Sequence, residues 1–121
     1  MDLKPLEKKV LRFLIDFGFP TKLSGYHYLK DGMLFVLENT ITPSNKILFS
    51  HLADKFNTDP DNIERCVRTL VDKHWRALGD EGLFDERPTN REFIIKCAEY
   101  VSYVSPKRSV YDILGQRLWY N

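Results

Sequence analysis

The stretch DKFNTDPDNIERCVRTLVDKHW, from Asp54 to Trp75, sets a short polar turn between two segments whose apolar residues recur at helical spacing. Asn57 tolerates the left-handed backbone that ends a helix, and Asp59 followed by Pro60 offers an N-cap and a first-turn proline for the next helix. Because only about three residues join the two helices, they should meet at a steep angle. The stretch therefore predicts a helix-turn-helix.

The second helix of this stretch should run from about 60 to 77, with one apolar face and one polar face. The residues that should point inward are Ile63, Val67, Leu70, Val71 and Trp75. The residues that should point outward recur three or four positions apart, with Glu64 at the flank of the set; they are Asn62, Arg65, Arg68, Thr69 and Asp72.

This outward face has the chemistry of a DNA-reading helix. Arginine can bond the O6 and N7 atoms of guanine, and glutamate can accept a hydrogen bond from N4 of cytosine. A helix-turn-helix presents the first turns of its second helix to base edges, where Glu64, Arg65 and Arg68 stand. The pattern alone leaves a second interpretation open, a solvated helix face held by an ion pair between Glu64 and Arg68.

Helical spacing also runs through the rest of the chain, with almost no alternation of period two. A capping box of Thr89 and Glu92 should open the fifth helix after a loop that begins beyond Trp75. The third helix should be capped by Ser44 and bury Ile47, Leu48, Leu52, Ala53 and Phe56. The predicted helices besides the one from about 60 to 77 are 6–17, 26–39, 44–57, a fifth ending near Ser105, and a short amphipathic one after Pro106.

The expected fold class is all-α, a compact bundle of about six helices containing the helix-turn-helix. With 121 residues, of which 43% are hydrophobic, the chain can build one sizeable core. The domain should span 1–105, followed by an amphipathic tail over 106–121. No apolar run is long enough to cross a membrane, and the N-terminus lacks a secretory signal. We therefore expect a cytoplasmic protein that does not bind membranes.

Composition and motifs argue against an enzyme or a cofactor-binding protein. His27, His51 and His74 have no partners at metal-ligand spacing, and no glycine-rich phosphate loop occurs. Cys66 and Cys97 lie in helical patterns and are expected to be reduced thiols. We expect no catalytic residue, no metal and no cofactor. The net charge of +1 does not suggest a nucleic-acid partner, although only the charge at the contact surface decides this point.

Four motifs together resemble the DNA-binding effector domain of the stage zero sporulation response regulators, over roughly Lys8 to Val104. The resemblance implies an all-helical domain whose recognition helix enters the major groove and which binds repeated short boxes, with a homodimer on tandem sites as a possible assembly. The motifs are GYHYL at 25–29, ILFSHLADKFNT at 47–58, IERCVRTLVDKHW at 63–75 and PTNREF at 88–93.

The resemblance assigns contacts with the bases of double-stranded DNA to Glu64, Arg65 and Arg68. The expected contacts with the DNA backbone are weaker assignments, at Lys22, Asn62 and Lys73. In the family, the region between the recognition helix and the PTNREF motif is associated with the sigma subunit of RNA polymerase; here this region is shorter. No receiver-domain pattern accompanies the motifs.

A second functional class remains open from the sequence. The same fold could serve as a protein-interaction module that modulates a sporulation regulator or RNA polymerase. The near-neutral net charge favours this alternative, whereas the set of Glu64, Arg65 and Arg68 favours DNA.

Overall fold

A computed structural model of the chain describes residues 4–108, with side chains as far as Tyr103, and this part is all-helical. The predicted all-α class is thereby confirmed for these residues. The sixth predicted helix, in the tail, falls largely on residues 109–121 and so lies outside the described residues. The five helices are α1 (Pro5–Asp16), α2 (Ser24–Glu38), α3 (Asn45–Phe56), α4 (Pro60–Asp80) and α5 (Asn90–Arg108).

The helix ends around α3 and α4 follow local signals in the sequence. The Ser44 hydroxyl accepts a hydrogen bond from the backbone N–H of Ile47 at 3.2 Å. Asn57 adopts the left-handed conformation, with a φ of 54°, and ends α3. The Asp59 carboxylate then caps α4 by accepting from the N–H of Asn62 at 2.9 Å. All three predicted signals are confirmed, and the turn between α3 and α4 consists of 57–59.

The start of α5 is fixed by the predicted capping box. The backbone N–H of Thr89 donates to the Glu92 carboxylate at 2.9 Å, and the N–H of Glu92 donates to the Thr89 hydroxyl at 3.1 Å. The helix continues through Pro106 to Arg108, beyond the end predicted near Ser105. A proline near the end of a helix removes only one backbone hydrogen bond, so it does not have to stop the helix.

The helix α4 is longer than its sequence pattern suggested. It runs to Asp80, and the loop begins at Glu81 rather than just after Trp75. The reason is tertiary, because Leu78 is fully buried and extends the inward stripe by one turn. Gly79 then lets the returning loop approach, since a Cβ there would lie 2.8 Å from the carbonyl oxygen of Phe84.

The core residues of α3 and α4 are mostly those that the spacing indicated. In α3, Leu48, Leu52 and Ala53 are buried, but Ile47 is exposed and Phe49 takes its place in the core. Ile47 lies in the first turn, off the stripe that continues from Leu48 through Leu52. On α4, Trp75 is only half-buried, and the guanidinium of Arg76 lies 5.0 Å from the centre of its ring. The fully buried inward residues of α4 are Ile63, Val67, Leu70, Val71 and Leu78.

The central element is α2, which packs against each of the other four helices. Gly25 brings its first turn directly against α4, because a Cβ at this position would lie 2.6 Å from the carbonyl oxygen of Cys66. Gly32 similarly admits the side chains of Leu52 from α3 and Ile94 from α5. Gly25 therefore sets the distance between α2 and α4, and Gly32 sets the distance of α2 from α3 and α5.

A histidine lies at the edge of the core beside the end of α1. The ring of His74 stands 4.1 Å from that of Phe19, measured between ring centres. Burial lowers the pKa of His74 below its ordinary value of 6.5, and the positive charge of Lys73 lowers it further. The folded protein therefore favours the neutral imidazole.

Replacing Gly25 by alanine should lower the free energy of unfolding by about 1 to 3 kcal/mol, because the added methyl group collides with the α4 backbone rather than with a movable side chain. Urea unfolding followed by circular dichroism measures the change. Ser24→Ala, at the exposed neighbouring position, is the matched control and should stay within about 0.5 kcal/mol of wild type. Equal stabilities of the two variants would contradict the close approach of α2 and α4.

Acidification should weaken the wild-type protein more than a His74→Gln variant. Below the ordinary pKa of 6.5 the unfolded chain binds a proton on His74 that the folded chain resists, so the stability contributed by the neutral ring is complete above this pH and declines below it. Urea unfolding of both proteins at about pH 7.5 and about pH 5 measures the difference. The same loss of stability in both proteins would show that His74 titrates equally in the folded and unfolded states.

Candidate nucleic-acid interface

The outward face of α4 is solvent-accessible over its first turns. Arg65, Arg68 and Thr69 are exposed, as the helical spacing predicted. Asn62 and Glu64 are half-buried, because they lie at the borders where α4 meets its neighbours. The face thus contains exposed cationic side chains flanked by two polar residues that also contact the protein.

Asn62 connects α4 to α2 and to the turn. Its side-chain amide donates to the hydroxyl of Thr58 at 3.1 Å and to that of Tyr28 at 3.4 Å. Its side-chain carbonyl accepts a hydrogen bond from the guanidinium of Arg65. Both amide hydrogens thus have protein partners, and the carbonyl orients an arginine of the outward face.

Glu64 is held by α5 rather than by a residue of its own helix. The side-chain amide of Asn90 donates to the backbone carbonyl of Glu64 at 3.1 Å and lies 3.4 Å from its carboxylate. The ion pairs within residues 4–108 do not include the one anticipated between Glu64 and Arg68. The carboxylate of Glu64 lies instead beside the amide of Asn90, which is buried. The face is exposed to solvent, but the ion pair between Glu64 and Arg68 does not form.

A second polar contact joins the loop after α4 to the outward face. The guanidinium of Arg87 donates to one carboxylate oxygen of Asp72 through Nη2 at 2.6 Å and Nε at 2.8 Å. Its Nη1 donates to the carbonyl of Pro88 at 3.3 Å. Arg87 therefore neutralises an acidic residue of the outward face. Helical spacing could not reveal this contact, because Arg87 lies in a loop and reaches Asp72 only through the tertiary fold.

The candidate backbone-contacting lysines are both exposed. Lys22 lies in the loop before α2, and the packing of Gly25 against Cys66 brings the end of this loop beside the first half of α4. Lys73 lies further along α4, next to His74. The structure thus carries Lys22 and Lys73 on elements that flank or continue the outward face.

Charge is distributed unevenly along α4 and the following loop. Between 60 and 76, and including Arg87, five cationic side chains stand against Asp61, Glu64 and Asp72, an excess of two positive charges. The cations are Arg65, Arg68, Lys73, Arg76 and Arg87. Acidic residues gather beyond this segment, at Asp80, Glu81, Asp85 and Glu86. The positive excess lies towards the second half of α4, at Lys73 and Arg76, because Asp59, Asp61 and Glu64 stand against Arg65 and Arg68 at its start.

The histidine, cysteine and acidic side chains of the described residues are the groups to consider for a metal site. Within 4–108 no three histidine, cysteine or acidic side chains are grouped so that they could hold a metal ion. Both cysteines are free thiols, and complete burial raises the pKa of Cys97, so this thiol stays protonated.

None of the helices in the described part of the chain has the length and apolar character needed to span a membrane.

A comparison with known protein families finds a match over most of the chain. The family described as sporulation initiation factor Spo0A, C terminal, matches residues 10–101. The matched region contains α2, α3 and α4 completely, together with most of α1 and the larger part of α5. It therefore includes the turn, the outward face and the residues that hold Glu64 and Arg65.

Replacing Asn62 by alanine should lower the free energy of unfolding by about 1 kcal/mol, because its hydrogen bonds to Tyr28 and Thr58 are partly shielded from water. Chemical denaturation measures the loss. Arg68→Ala, on the exposed part of the same helix, is the control and should change stability by less than about 0.5 kcal/mol. An Asn62 variant as stable as the Arg68 variant would show that the amide network adds nothing to the fold.

Proposed function

The chain belongs to the Spo0A C-terminal family, the DNA-binding effector domain of a sporulation regulator, and on this premise we propose that α4 reads base pairs in the major groove of double-stranded DNA. The helices α3 and α4 with the turn at 57–59 serve as the helix-turn-helix. The observation that carries the proposal is the exposure of Arg65 and Arg68 on the first turns of α4, on the side opposite the fully buried Ile63 and Val67.

The three residues proposed to contact bases, Glu64, Arg65 and Arg68, supply both hydrogen-bond donors and an acceptor. Arg65 and Arg68 are donors suited to the O6 and N7 atoms of guanine, and Glu64 is an acceptor suited to N4 of cytosine. A carboxylate has about four lone-pair positions, so the bond from Asn90 leaves Glu64 able to accept from a base. The three residues together specify sequence.

The backbone contacts position the domain on the duplex without reading its sequence. Lys22 and Lys73 are proposed to bind phosphates, with the exposed Arg76 adding to the positive potential. Asn62 has both amide hydrogens engaged within the protein, so its proposed role changes from phosphate contact to orientation of Arg65. This arrangement lets a nearly neutral chain bind an anionic polymer.

The proposed setting is transcription regulation in the cytoplasm. Repeated boxes would be bound by two copies of the domain, as the resemblance implies, and the loop from 81 to 89 is the candidate contact for the RNA polymerase sigma subunit. One observation favours the alternative protein-interaction module, namely the exposure of Ile41 and Ile47, at 81% and 57%, around the start of α3.

A salt titration of binding to random duplex DNA separates these two functions. For a protein that neutralises phosphates, the logarithm of the binding constant falls linearly with that of the salt concentration, with a slope of about 0.9 per phosphate contacted. A module that binds only proteins would show no such binding. Absence of salt-dependent binding would therefore contradict the DNA-binding role.

Arg65→Ala should weaken binding to a box selected from random DNA by about 1 to 3 kcal/mol and weaken binding to random duplex much less, because a base contact carries specificity and a phosphate contact does not. Fluorescence anisotropy with both duplexes measures the two losses. Arg12→Ala, which removes an exposed arginine from α1, is the matched control and should leave both affinities unchanged. Equal losses on the two duplexes would make Arg65 a phosphate contact.

A further inference from the structure

We propose that Asn90, in α5, is a specificity-determining positioning residue that holds the base-reading carboxylate of Glu64. The inference rests on the proposed reading of DNA by α4 and adds a residue that lies outside that helix. Asn90 does not touch DNA in this proposal; it acts through Glu64.

The burial of Asn90 is the first observation. It is only 9% exposed, and it is the one buried polar or charged residue among those that the structure describes. A buried amide must find hydrogen-bond partners, because leaving its donors unsatisfied costs free energy. Asn90 finds them on Glu64, which is 26 positions away in the sequence.

The two acceptors on Glu64 are the second observation. The amide donates to the backbone carbonyl of Glu64 at 3.1 Å and approaches its carboxylate oxygen at 3.4 Å. The first bond fixes the start of α5 against the second turn of α4. The second restricts the rotamers of a long side chain that would otherwise lose conformational freedom only when DNA binds. The carboxylate is therefore preorganised before binding.

The immediate neighbours of Asn90 keep it in place. The capping box joins Thr89 and Glu92 on either side of it. The guanidinium of Arg91 donates to the carbonyl of Pro43, in the loop before α3, at 2.9 Å. The first turn of α5 is thus anchored at three successive residues, 90 to 92, which gives Glu64 a rigid support.

The test measures base preference rather than affinity alone. In vitro selection from a random duplex pool with the wild-type chain defines the box, and binding is then measured on that box and on versions with single base-pair changes. Glu64→Ala and Arg65→Ala identify the base pair that each side chain reads. Asn90→Ala should lower the preference at the Glu64 base pair by about fivefold to tenfold, a loss of roughly 1 to 1.4 kcal/mol. Preference at the Arg65 base pair and binding to random duplex should be retained.

Matched variants separate positioning from folding. Asn45 is likewise the first residue of its helix and likewise follows a residue that caps that helix, but it is exposed, so Asn45→Ala should leave every preference unchanged. In the Glu64→Ala background, Asn90→Ala should cause no further loss of preference. Should Asn90→Ala fail to fold, Asn90→Ser replaces it, because a hydroxyl on a shorter side chain cannot bridge both acceptors. A nuclear Overhauser effect between the Asn90 amide protons and the Glu64 side chain is expected in the DNA-free protein.

The outcomes distinguish failure of the proposed role of Asn90 from failure of the proposed DNA-binding function. A uniform loss of affinity on all boxes and on random duplex, an unchanged preference at the Glu64 base pair, or a missing nuclear Overhauser effect would overturn the role of Asn90 while leaving DNA binding intact. A wild-type chain that enriches no box would overturn the proposed function itself, and the role of Asn90 with it.

Discussion

The backbone of α2 lies against the backbone of α4 at Gly25, where no side chain separates them. This close approach decides how deep α4 sits in the core, because α2 also packs against α1, α3 and α5. Once Ile63, Val67 and Leu70 are buried at this distance, the opposite side of α4 has to face outward. The exposure of Arg65 and Arg68 is thus a result of how the core packs, and no separate interaction is needed to produce it.

The features that could be predicted from the sequence are those that depend on interactions between residues close together in the chain. Ser44, Asn57 and Asp59 act on backbone groups within a few positions, so the bounds of α3 and the start of α4 follow from local chemistry. The end of α4 could not be predicted in this way, because it depends on the burial of Leu78. Neither could the partner of Glu64, since helical spacing offered Arg68 four positions away and the fold supplied Asn90 from another helix.

The charge of the candidate interface likewise depends on the tertiary structure and not only on the sequence. The net charge of +1 describes the whole chain, whereas a binding partner meets only the surface in front of it. Arg87 returns from the loop to Asp72 at 2.6 Å, and the acidic residues collect beyond Asp80. The small positive excess along α4 therefore depends on where the fold places charges of both signs, which a composition cannot express.

Some residues on the outward face of α4 also contact the rest of the protein, and others do not. This difference affects how a new DNA preference could evolve. Arg68 is exposed, so substitutions there alter the face at little cost to the fold. A substitution at Glu64 would also deprive the buried amide of Asn90 of its carboxylate partner. A substitution that changes the preferred box should therefore destabilise the fold less at Arg68 than at Glu64. Relatives with different DNA preferences are expected to differ more often at the position of Arg68.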